Sequence, residues 1–166
     1  MHSMLEKART RGEPLLYVAS RASEPDRPAM WRQLRDERGW CIVSSWIDEA
    51  GDGQTASFQE LWARIDAEIR LADGLMLYAQ AEDFPLKGAL VEVGMALARG
   101  KPVAVVLGRG LQLEPRSRRP LGSWAEHPLC SLHGTLDDAY QQLALASRDA
   151  RAALLTRRVF ERIENI

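Results

Sequence analysis

Residues 88–107, GALVEVGMALARGKPVAVVL, join a helix pattern to a strand pattern, and this junction decides the fold. The spacing of the apolar residues predicts a helix over residues 90–97, which Gly100 ends at a C-cap position. A Lys-Pro turn then leads into residues 103–107, where nearly every position is apolar. A strand that is apolar on both faces is typical of a parallel sheet covered by helices.

The rest of the chain repeats this alternation of strand and helix patterns. Apolar runs of strand length predict strands over residues 15–19, 40–47, 75–79 and 128–132. Helical spacing predicts helices over residues 28–38, 58–72, 135–146 and 149–163. Asp26 is the expected N-cap of the first helix, and Ser57 with Glu60 forms a capping-box pattern at the second. The stretch 109–126 shows little periodicity and predicts a loop.

Strands that alternate with helices predict an α/β fold with a doubly wound parallel sheet of about five strands, in flavodoxin-like or Rossmann-like order and in three layers. We expect a single domain over residues 1–166, with residues 1–13 as an N-terminal extension and residues 147–166 as a C-terminal helix. The composition agrees with this expectation, because 46% hydrophobic and 27% charged residues are typical of a globular domain.

Composition also limits the environment and the partners of the chain. Cys41 and Cys130 lie far apart without CxxC spacing, which predicts reduced thiols and a cytoplasmic protein. The N-terminus lacks a signal-peptide core and no apolar run approaches the ~20 residues that a bilayer requires, so no membrane is expected. The net charge of −1 argues against a nucleic-acid polymer as partner. Because His2, His127 and His133 are scattered, we expect no metal site.

Polar and aromatic residues follow the first two predicted strands, at the edge where ligands of such sheets bind. Ser20, Arg21 and Ser23 could bind a phosphate or a sugar hydroxyl there, and a polar turn is the alternative. Their loop lacks the glycines of a Walker or dinucleotide motif, so we expect no nucleotide cofactor. Trp46 could stack a base and Asp48 could bind a hydroxyl, although a partly buried Trp beside a turn-forming Asp is the commoner arrangement.

Glu92 is the strongest catalytic candidate in the chain. It lies among apolar residues in the first turns of its helix, where Gly88 and Gly94 permit close approach of the backbone. A carboxylate in such a place is costly unless it has a partner or a function. The alternative is a solvent-exposed Glu92 that interacts with the helix dipole.

The stretch around Glu92 also resembles a known signature. A glycine stands four positions before the glutamate, and a glycine, an alanine and a Gly-Lys-Pro turn into a strand follow it. This pattern resembles the signature of the nucleoside 2-deoxyribosyltransferases and of the related deoxynucleoside 5′-monophosphate N-glycosidases, over roughly residues 15–107. The resemblance implies catalysis on a small-molecule nucleoside or nucleotide, without a metal or redox cofactor, by a homo-oligomer of at least two chains.

The resemblance assigns roles to particular residues. Glu92 would be the nucleophile that attacks the anomeric carbon of the sugar, and Tyr17 would position it. Asp66 would handle protons or contacts at the base, although a solvated helix face is the alternative for this residue. Gly88, the glycine of the signature, is included among the substrate-binding candidates.

One position departs from the signature. Six positions before the glutamate the transferases have an aspartate and the glycosidases a serine, whereas this chain has Leu86, which can neither donate nor accept a hydrogen bond. Glu82, Asp83 or Lys87 nearby could substitute for it. The leading hypothesis is therefore cleavage or exchange of the base through a glycosyl–Glu92 intermediate. A non-catalytic module that binds or sequesters a nucleotide is the alternative that Leu86 favours, and a purely structural partner protein is the third.

Overall fold

The computed structural model of the chain describes residues 6, 8, 10–49 and 57–163. Within these ranges, strands and helices alternate along the chain. The strands are β1 (Leu15–Ala19), β2 (Cys41–Ile42), β3 (Gly74–Ala79), β4 (Val103–Leu107) and β5 (Cys130–His133). The helices are α1 (Asp26–Asp36), α2 (Phe58–Leu71), α3 (Lys87–Ala98) and α4 (Leu136–Ile163). Short 3-10 turns lie at Ser45–Asp48, Ala81–Asp83 and Ser123–Glu126.

The strands form a parallel sheet in the order β2-β1-β3-β4-β5. This is the flavodoxin-like order, and it confirms the predicted doubly wound α/β fold. From β1 the chain moves through α1 to β2, toward one edge of the sheet, and then through α2 and α3 toward the other edge. Because crossovers between parallel strands are right-handed, α1 lies on one face of the sheet and α2 and α3 lie on the other. The last helix, α4, packs back across β3, β4 and β5.

The core lies on both faces of the three central strands. Every residue of β1 is buried, and so is nearly every residue of β3 and β4. Each helix adds apolar side chains that are almost completely buried, among them Trp31 of α1, Ile69 of α2, Val93 of α3 and Leu143 of α4. Polar groups are therefore concentrated at the ends of the strands. None of the helices in the described ranges is both long enough and apolar enough to span a bilayer.

The second strand is much shorter than the sequence predicts. A strand is expected over residues 40–47, but pairing ends after Ile42 and a 3-10 turn begins at Ser45. Side chains replace the missing backbone ladder, because the Val18 N–H donates to Ser44 Oγ at 2.7 Å and the Trp46 indole donates to the Val18 carbonyl at 2.8 Å. Both polar backbone groups of Val18 are satisfied without a longer strand.

Several helix bounds also differ from expectation. The first helix begins at Asp26 itself, so Asp26 lies in its first turn and does not cap it. At the second helix the predicted cap is confirmed, since Ser57 Oγ accepts from the Glu60 N–H at 3.3 Å. The third helix begins at Lys87, three residues earlier than expected.

The carboxy-terminal region is one helix where the sequence predicts two. Residues 136–163 contain neither glycine nor proline, so nothing interrupts the helix between the two predicted segments. Residues 147–163 of the predicted C-terminal helix are therefore the second half of α4, and residues 164–166 lie outside the described residues. Of the predicted N-terminal extension, residues 1–5, 7 and 9 also lie outside them.

Gly74 offers a test of how tightly α4 packs on the sheet. A Cβ at this position would lie 2.9 Å from Leu143 Cδ2 and 3.1 Å from the Pro102 carbonyl oxygen. Because that carbonyl already accepts from the Leu75 N–H at 2.9 Å, it has little freedom to move. We expect Gly74→Ala to lower the free energy of unfolding by about 1–3 kcal/mol in urea denaturation.

The matched control is Gly94→Ala in α3, where, apart from the surrounding backbone of the helix itself, no described heavy atom lies within 4 Å of an added Cβ. Because alanine is the better helix former, this variant should keep or raise the stability by up to about 1 kcal/mol. Equal losses in the two variants would contradict the packing described for Gly74.

Candidate functional site

A cleft of about 500 Å³ opens at the carboxyl end of the sheet. It lies between the loop after β1 and the segment that joins β3 to α3, where the order of the sheet reverses. Doubly wound folds bind ligands at this switch point, because the loops of neighbouring strands diverge there. The described residues that line the cleft are Ser20, Arg21, Ala22, Ser23, Glu82, Asp83, Phe84, Pro85, Leu86, Lys87, Gly88, Ala89 and Glu92.

Glu92 projects from the second turn of α3 into the wall of the cleft. Its side chain is half-buried, so it is not the solvent-exposed glutamate of the alternative interpretation. Burial raises the pKa of Glu92 to about 8, the facing Tyr17 hydroxyl lowers it as a donor, and the negative charge of Glu68 raises it further. At neutral pH the Glu92 carboxyl is therefore mostly protonated.

Tyr17 lies in the middle of β1 and is completely buried. Its hydroxyl group forms no hydrogen bond of ordinary geometry with any described residue. The hydroxyl nevertheless faces the Glu92 carboxyl closely enough for each group to shift the pKa of the other. Burial raises the pKa of Tyr17 well above its usual range, and the charges of Glu92 and Glu68 raise it further. The phenol consequently stays neutral and can donate a proton in a hydrogen bond to a carboxylate.

Glu68 is the residue near Glu92 that sequence reasoning missed. It is half-buried on α2, and its Oε1 accepts from the Ser45 backbone N–H at 3.1 Å. Burial raises the pKa of Glu68, and the hydrogen bonds from Ser45 oppose that rise. The apolar pattern of α2 does not single it out, because Glu68 lies three positions from the buried Ile65 and Asp66 lies three positions from the buried Ile69.

The structure places Asp66 away from the cleft. Asp66 forms ion pairs with Arg70, at 2.7 Å, and with Arg99. Arg99 follows the end of α3, about two turns beyond Glu92, so this ion pair ties α2 to the far end of α3. Tyr17 and Glu92 are thus brought together, and Asp66 is not among the described residues of the cleft wall.

The predicted substrate-binding residues fall into two groups. Those that line the cleft are Ser20, Arg21, Ser23 and Gly88. Arg21 donates to the Glu82 carbonyl at 2.7 Å and to Ser23 Oγ at 3.2 Å, which connects the two walls of the cleft. Ser20 Oγ accepts from the buried Trp31 indole at 2.9 Å.

Trp46 and Asp48 form the second group and do not line the cleft. The Trp46 side chain is buried in the core, where its indole bonds to the Val18 carbonyl. Asp48 pairs with Arg35 at 2.7 Å on the surface. The two residues attach the turn after β2 to β1 and to α1. A base or a hydroxyl group bound in the cleft would not contact them.

A buried ion pair fixes the cleft wall that precedes α3. The Arg27 guanidinium donates to Gln80 Oε1 at 2.7 Å and to Asp83 Oδ2 at 3.3 Å, and it lies 5.1 Å from the centre of the Tyr78 ring. Asp83 also accepts from the Gln80 N–H at 2.8 Å. Leu86 lies in the same wall, so the departure from the signature falls on a cleft residue. No sequence pattern connects Arg27 to Asp83, because they are distant in the chain.

The cleft wall carries charges of both signs. Arg21, Lys87 and the N-terminus of α3 provide positive charge and backbone donors that suit a phosphate or another anion. Glu92 provides a carboxyl group, which can act as a nucleophile or a base when it is ionised. Within the described ranges, no group of three or more His, Cys, Asp or Glu side chains is arranged to hold a metal ion.

The chain is similar to known proteins in structure only. No protein-family model matches the chain, and no curated protein matches it significantly in sequence. The 2-deoxyribosyltransferase of the psychrotolerant bacterium Bacillus psychrosaccharolyticus is 18% identical, with 60% of this chain and 76% of that chain covered and a TM-score of 0.46. The CMP N-glycosidase BcmB of Clostridium botulinum is 18% identical, with 78% of this chain and 97% of that chain covered and a TM-score of 0.47. These values describe similarity of fold and assign no activity.

The raised pKa of Glu92 predicts a pH-dependent stability. Between the unfolded value of 4.5 and the folded value of about 8 the unfolded chain is ionised while the folded protein keeps its proton, so stability falls as the pH rises through this window. Glu92→Gln removes that loss. Relative to the original chain, the variant should gain on the order of 2 kcal/mol in free energy of unfolding between about pH 5 and pH 8, measured with urea.

Glu60→Gln is the control for this measurement, because Glu60 is an exposed carboxylate on α2. Its stability relative to the original chain should be the same at both pH values. If the difference in free energy of unfolding between Glu92→Gln and the original chain were also the same at both pH values, the fold would not hold the Glu92 carboxyl protonated.

Proposed function

We propose that the protein cleaves or exchanges the base of a 2′-deoxynucleoside or of its 5′-monophosphate. The observation that carries this proposal is the position of Glu92, a half-buried carboxyl in the wall of a cleft at the carboxyl edge of the sheet, facing the buried Tyr17 hydroxyl. The resemblance of the surrounding stretch to the signature of this enzyme class supports the same assignment.

In the proposed reaction an ionised Glu92 attacks the anomeric carbon of the deoxyribose. The bond between this carbon and the base nitrogen breaks, its electron pair leaves with the base, and a glycosyl–Glu92 ester forms. Water or a second base then attacks the same carbon and restores the carboxylate. Tyr17 donates to the Glu92 carboxylate, which orients it and favours its ionised form.

The departing base also needs a proton. The sequence-based expectation gives this role to Asp66, and that role stays a prediction for a residue outside the cleft wall. Within the described cleft wall, Glu82 and Asp83 both pair with the Arg27 guanidinium, at 3.6 Å and 3.3 Å. Glu82 is the more accessible of the two carboxylates, because its side chain is 58% exposed whereas that of Asp83 is buried. We therefore assign protonation of the base to Glu82 or to solvent.

A 5′-phosphate would suit the cationic residues of the cleft wall. Arg21 and Lys87 would neutralise its charge, and Ser20 and Ser23 would donate from their hydroxyl groups. The N-terminus of α3 would add backbone donors. A monophosphate is for this reason the preferred substrate of the proposal.

A binding module that does not turn over its ligand is the second candidate. Two observations favour it. Leu86 gives the cleft wall an apolar side chain where the resembled enzymes have a polar one, and the raised pKa leaves Glu92 mostly neutral at pH 7, when it is a poor nucleophile. Catalysis then requires either a higher pH or a ligand that favours ionisation of Glu92.

The homo-oligomer and the cytoplasmic location stay predictions. Exposed apolar side chains on α2 and α3 could form a contact between subunits, and they include Phe58, Trp62, Leu90 and Val91. Light scattering that gives the mass of a single 18.6 kDa chain would exclude the oligomer.

The activity is tested by chromatographic detection of free base. The protein is incubated with deoxynucleosides and with their monophosphates, with and without an acceptor base, at pH values from about 6 to 9. We expect release of base that increases with pH through about 8, since Glu92 must ionise. Glu92→Gln should reduce the rate at least ~100-fold, whereas Glu60→Gln on the exposed side of α2 should not change it.

Two measurements together distinguish an enzyme from a binding module. Base release that is no faster than with Glu92→Gln, for every substrate and pH, would refute the proposed activity. Calorimetric binding of a monophosphate under those conditions would then support the binding module.

A further inference from the structure

Arg27 is a charged residue near the start of α1 that lies next to the cleft wall. It is 7% exposed and is not among the described residues that line the cleft. One of its guanidinium nitrogens, Nη2, donates to Gln80 Oε1 at 2.7 Å and to Asp83 Oδ2 at 3.3 Å, and it lies 3.6 Å from Glu82 Oε1. The guanidinium also lies 5.1 Å from the centre of the Tyr78 ring. We call these five residues the Arg27 network.

The network closes the turn that follows β3. At the 3-10 turn Ala81–Asp83, the Gln80 side chain accepts from the Asp83 N–H, and the Asp83 side chain accepts from the Gln80 N–H at 2.8 Å. Arg27 therefore donates to both of the side chains that cap this turn. The Gln80 amide nitrogen donates in addition to the Tyr78 hydroxyl at 2.8 Å. The turn is thus attached both to α1 and to β3.

A close approach at the end of β4 also confines the side chain of Gln80. A Cβ at Gly108 would lie 2.6 Å from Gln80 Cγ, which is too close for two carbon atoms that are not bonded to each other. The Gly108 N–H donates to the Ala79 carbonyl at 2.8 Å, so the backbone here has little freedom to move away. Glycine at position 108 therefore leaves the room that Gln80 needs to reach Arg27.

Stability alone does not explain why two charges are buried here. The Arg27 side chain is 9% exposed and that of Asp83 is 1% exposed, and apolar residues of similar volume are often at least as stable as such a buried ion pair. The pair is also incompletely bonded, because Arg27 Nε and Asp83 Oδ1 are buried without a hydrogen-bond partner among the described residues. What the pair adds is a defined geometry, since a planar guanidinium holds its acceptors in fixed directions.

The segment that the network holds is part of the cleft wall. Residues 82–88 all line the cleft. The Glu82 carbonyl accepts from Arg21 at 2.7 Å, and Lys87 lies in the same segment, at the start of α3. The two cationic side chains of the described cleft wall therefore depend on the course of this segment for their positions.

We propose that Arg27 is a positioning residue of the cleft, which sets the course of residues 82–88 through Gln80 and Asp83 and so determines how tightly the cleft binds an anion. Arg27 acts from outside the cleft wall and contacts no ligand. When the turn after β3 is held in place, Arg21, Lys87 and the first N–H groups of α3 are arranged in advance to receive one anionic group. That this anion is the phosphate of a nucleotide rests on the proposed function.

Arg27→Met tests the proposal, because methionine is of similar length and removes the charge and the donors. Binding of inorganic phosphate and of deoxynucleoside monophosphates to the full chain is measured by calorimetry, at a temperature well below the unfolding midpoint of each variant. We expect Arg27→Met to weaken the binding of both by about tenfold, since the cationic groups are no longer held in one arrangement.

Arg35→Met is the matched control, since it removes the same charge from the same helix. Arg35 pairs with Asp36 and Asp48, which belong neither to the network nor to the described cleft wall. Its phosphate affinity should equal that of the original chain. Equal losses in Arg27→Met and Arg35→Met would overturn the proposal, because the loss would then follow from net charge alone.

Gly108→Ala perturbs the network from β4 and keeps every charge. The added methyl group would displace Gln80 from its contact with Arg27, so phosphate binding should weaken by about threefold or more. Gly94→Ala, the stability control in α3, should not weaken it. Because Gly108→Ala retains the buried ion pair, it decides the matter if Arg27→Met does not fold.

Unchanged phosphate affinity in Arg27→Met, or in Gly108→Ala if the first variant does not fold, would overturn the proposal. So would an original chain that binds neither phosphate nor a monophosphate, since the cleft would then have no anion affinity for Arg27 to determine. If base release occurs, Arg27→Met should raise KM for monophosphates about tenfold and change kcat less than about threefold, whereas a loss of folded protein would lower kcat alone.

Failure of this proposal and failure of the proposed activity give different results. Phosphate binding that is weakened in Arg27→Met, without base release from any substrate, would refute the activity and leave the role of Arg27 intact. Base release with equal phosphate affinities in Arg27→Met and the original chain would support the activity and overturn the role of Arg27.

Discussion

The hydrogen bonds to the backbone of Val18 determine much of the architecture around the cleft. Ser44 accepts from its N–H and Trp46 donates to its carbonyl, so two side chains occupy the edge of β1 where a longer β2 would pair. The second strand ends early as a result, and the following turn runs back against β1. This turn presents Ser45 to Glu68 and keeps α2 beside the strand that carries Tyr17.

The charged residues around the cleft differ in their exposure to solvent. Arg21 and Lys87 are exposed in the cleft wall, where solvent screens them and an anion can reach them. Glu68 and Glu92 are half-buried, and burial weakens the screening of their charges and raises the pKa of both. A ligand with an anionic end and a carbon that becomes electron-poor would match both pairs of residues at once.

Much of the fold could be predicted from local patterns, and the site only in part. The strands over 15–19, 75–79 and 103–107 are confirmed because their apolar runs and bounding turns are local signals. The predicted strand over 40–47 is too long, since the side-chain bonds to Val18 that end it join residues distant in sequence. Glu92 and Tyr17 meet because both lie on elements that the pattern placed correctly.

Asp66 and Glu68 show why the second acid was harder to predict. They are two positions apart on α2, and two helical residues at that spacing point about 200° apart. One therefore reaches Arg99 at the end of α3, and the other reaches Ser45 beside β1. A shift of two residues in a motif comparison exchanges one environment for the other, and the pattern of apolar residues alone does not decide between them.

The pairing of Arg27 with Asp83 has a consequence for how a ligand reaches the cleft. Swinging the segment 80–86 outward would separate two opposite charges that are both buried, and removing one partner from such a pair typically costs about 3–5 kcal/mol. The pair thus holds the segment 80–86 against α1, and a molecule arriving from solution meets an entrance that is already formed.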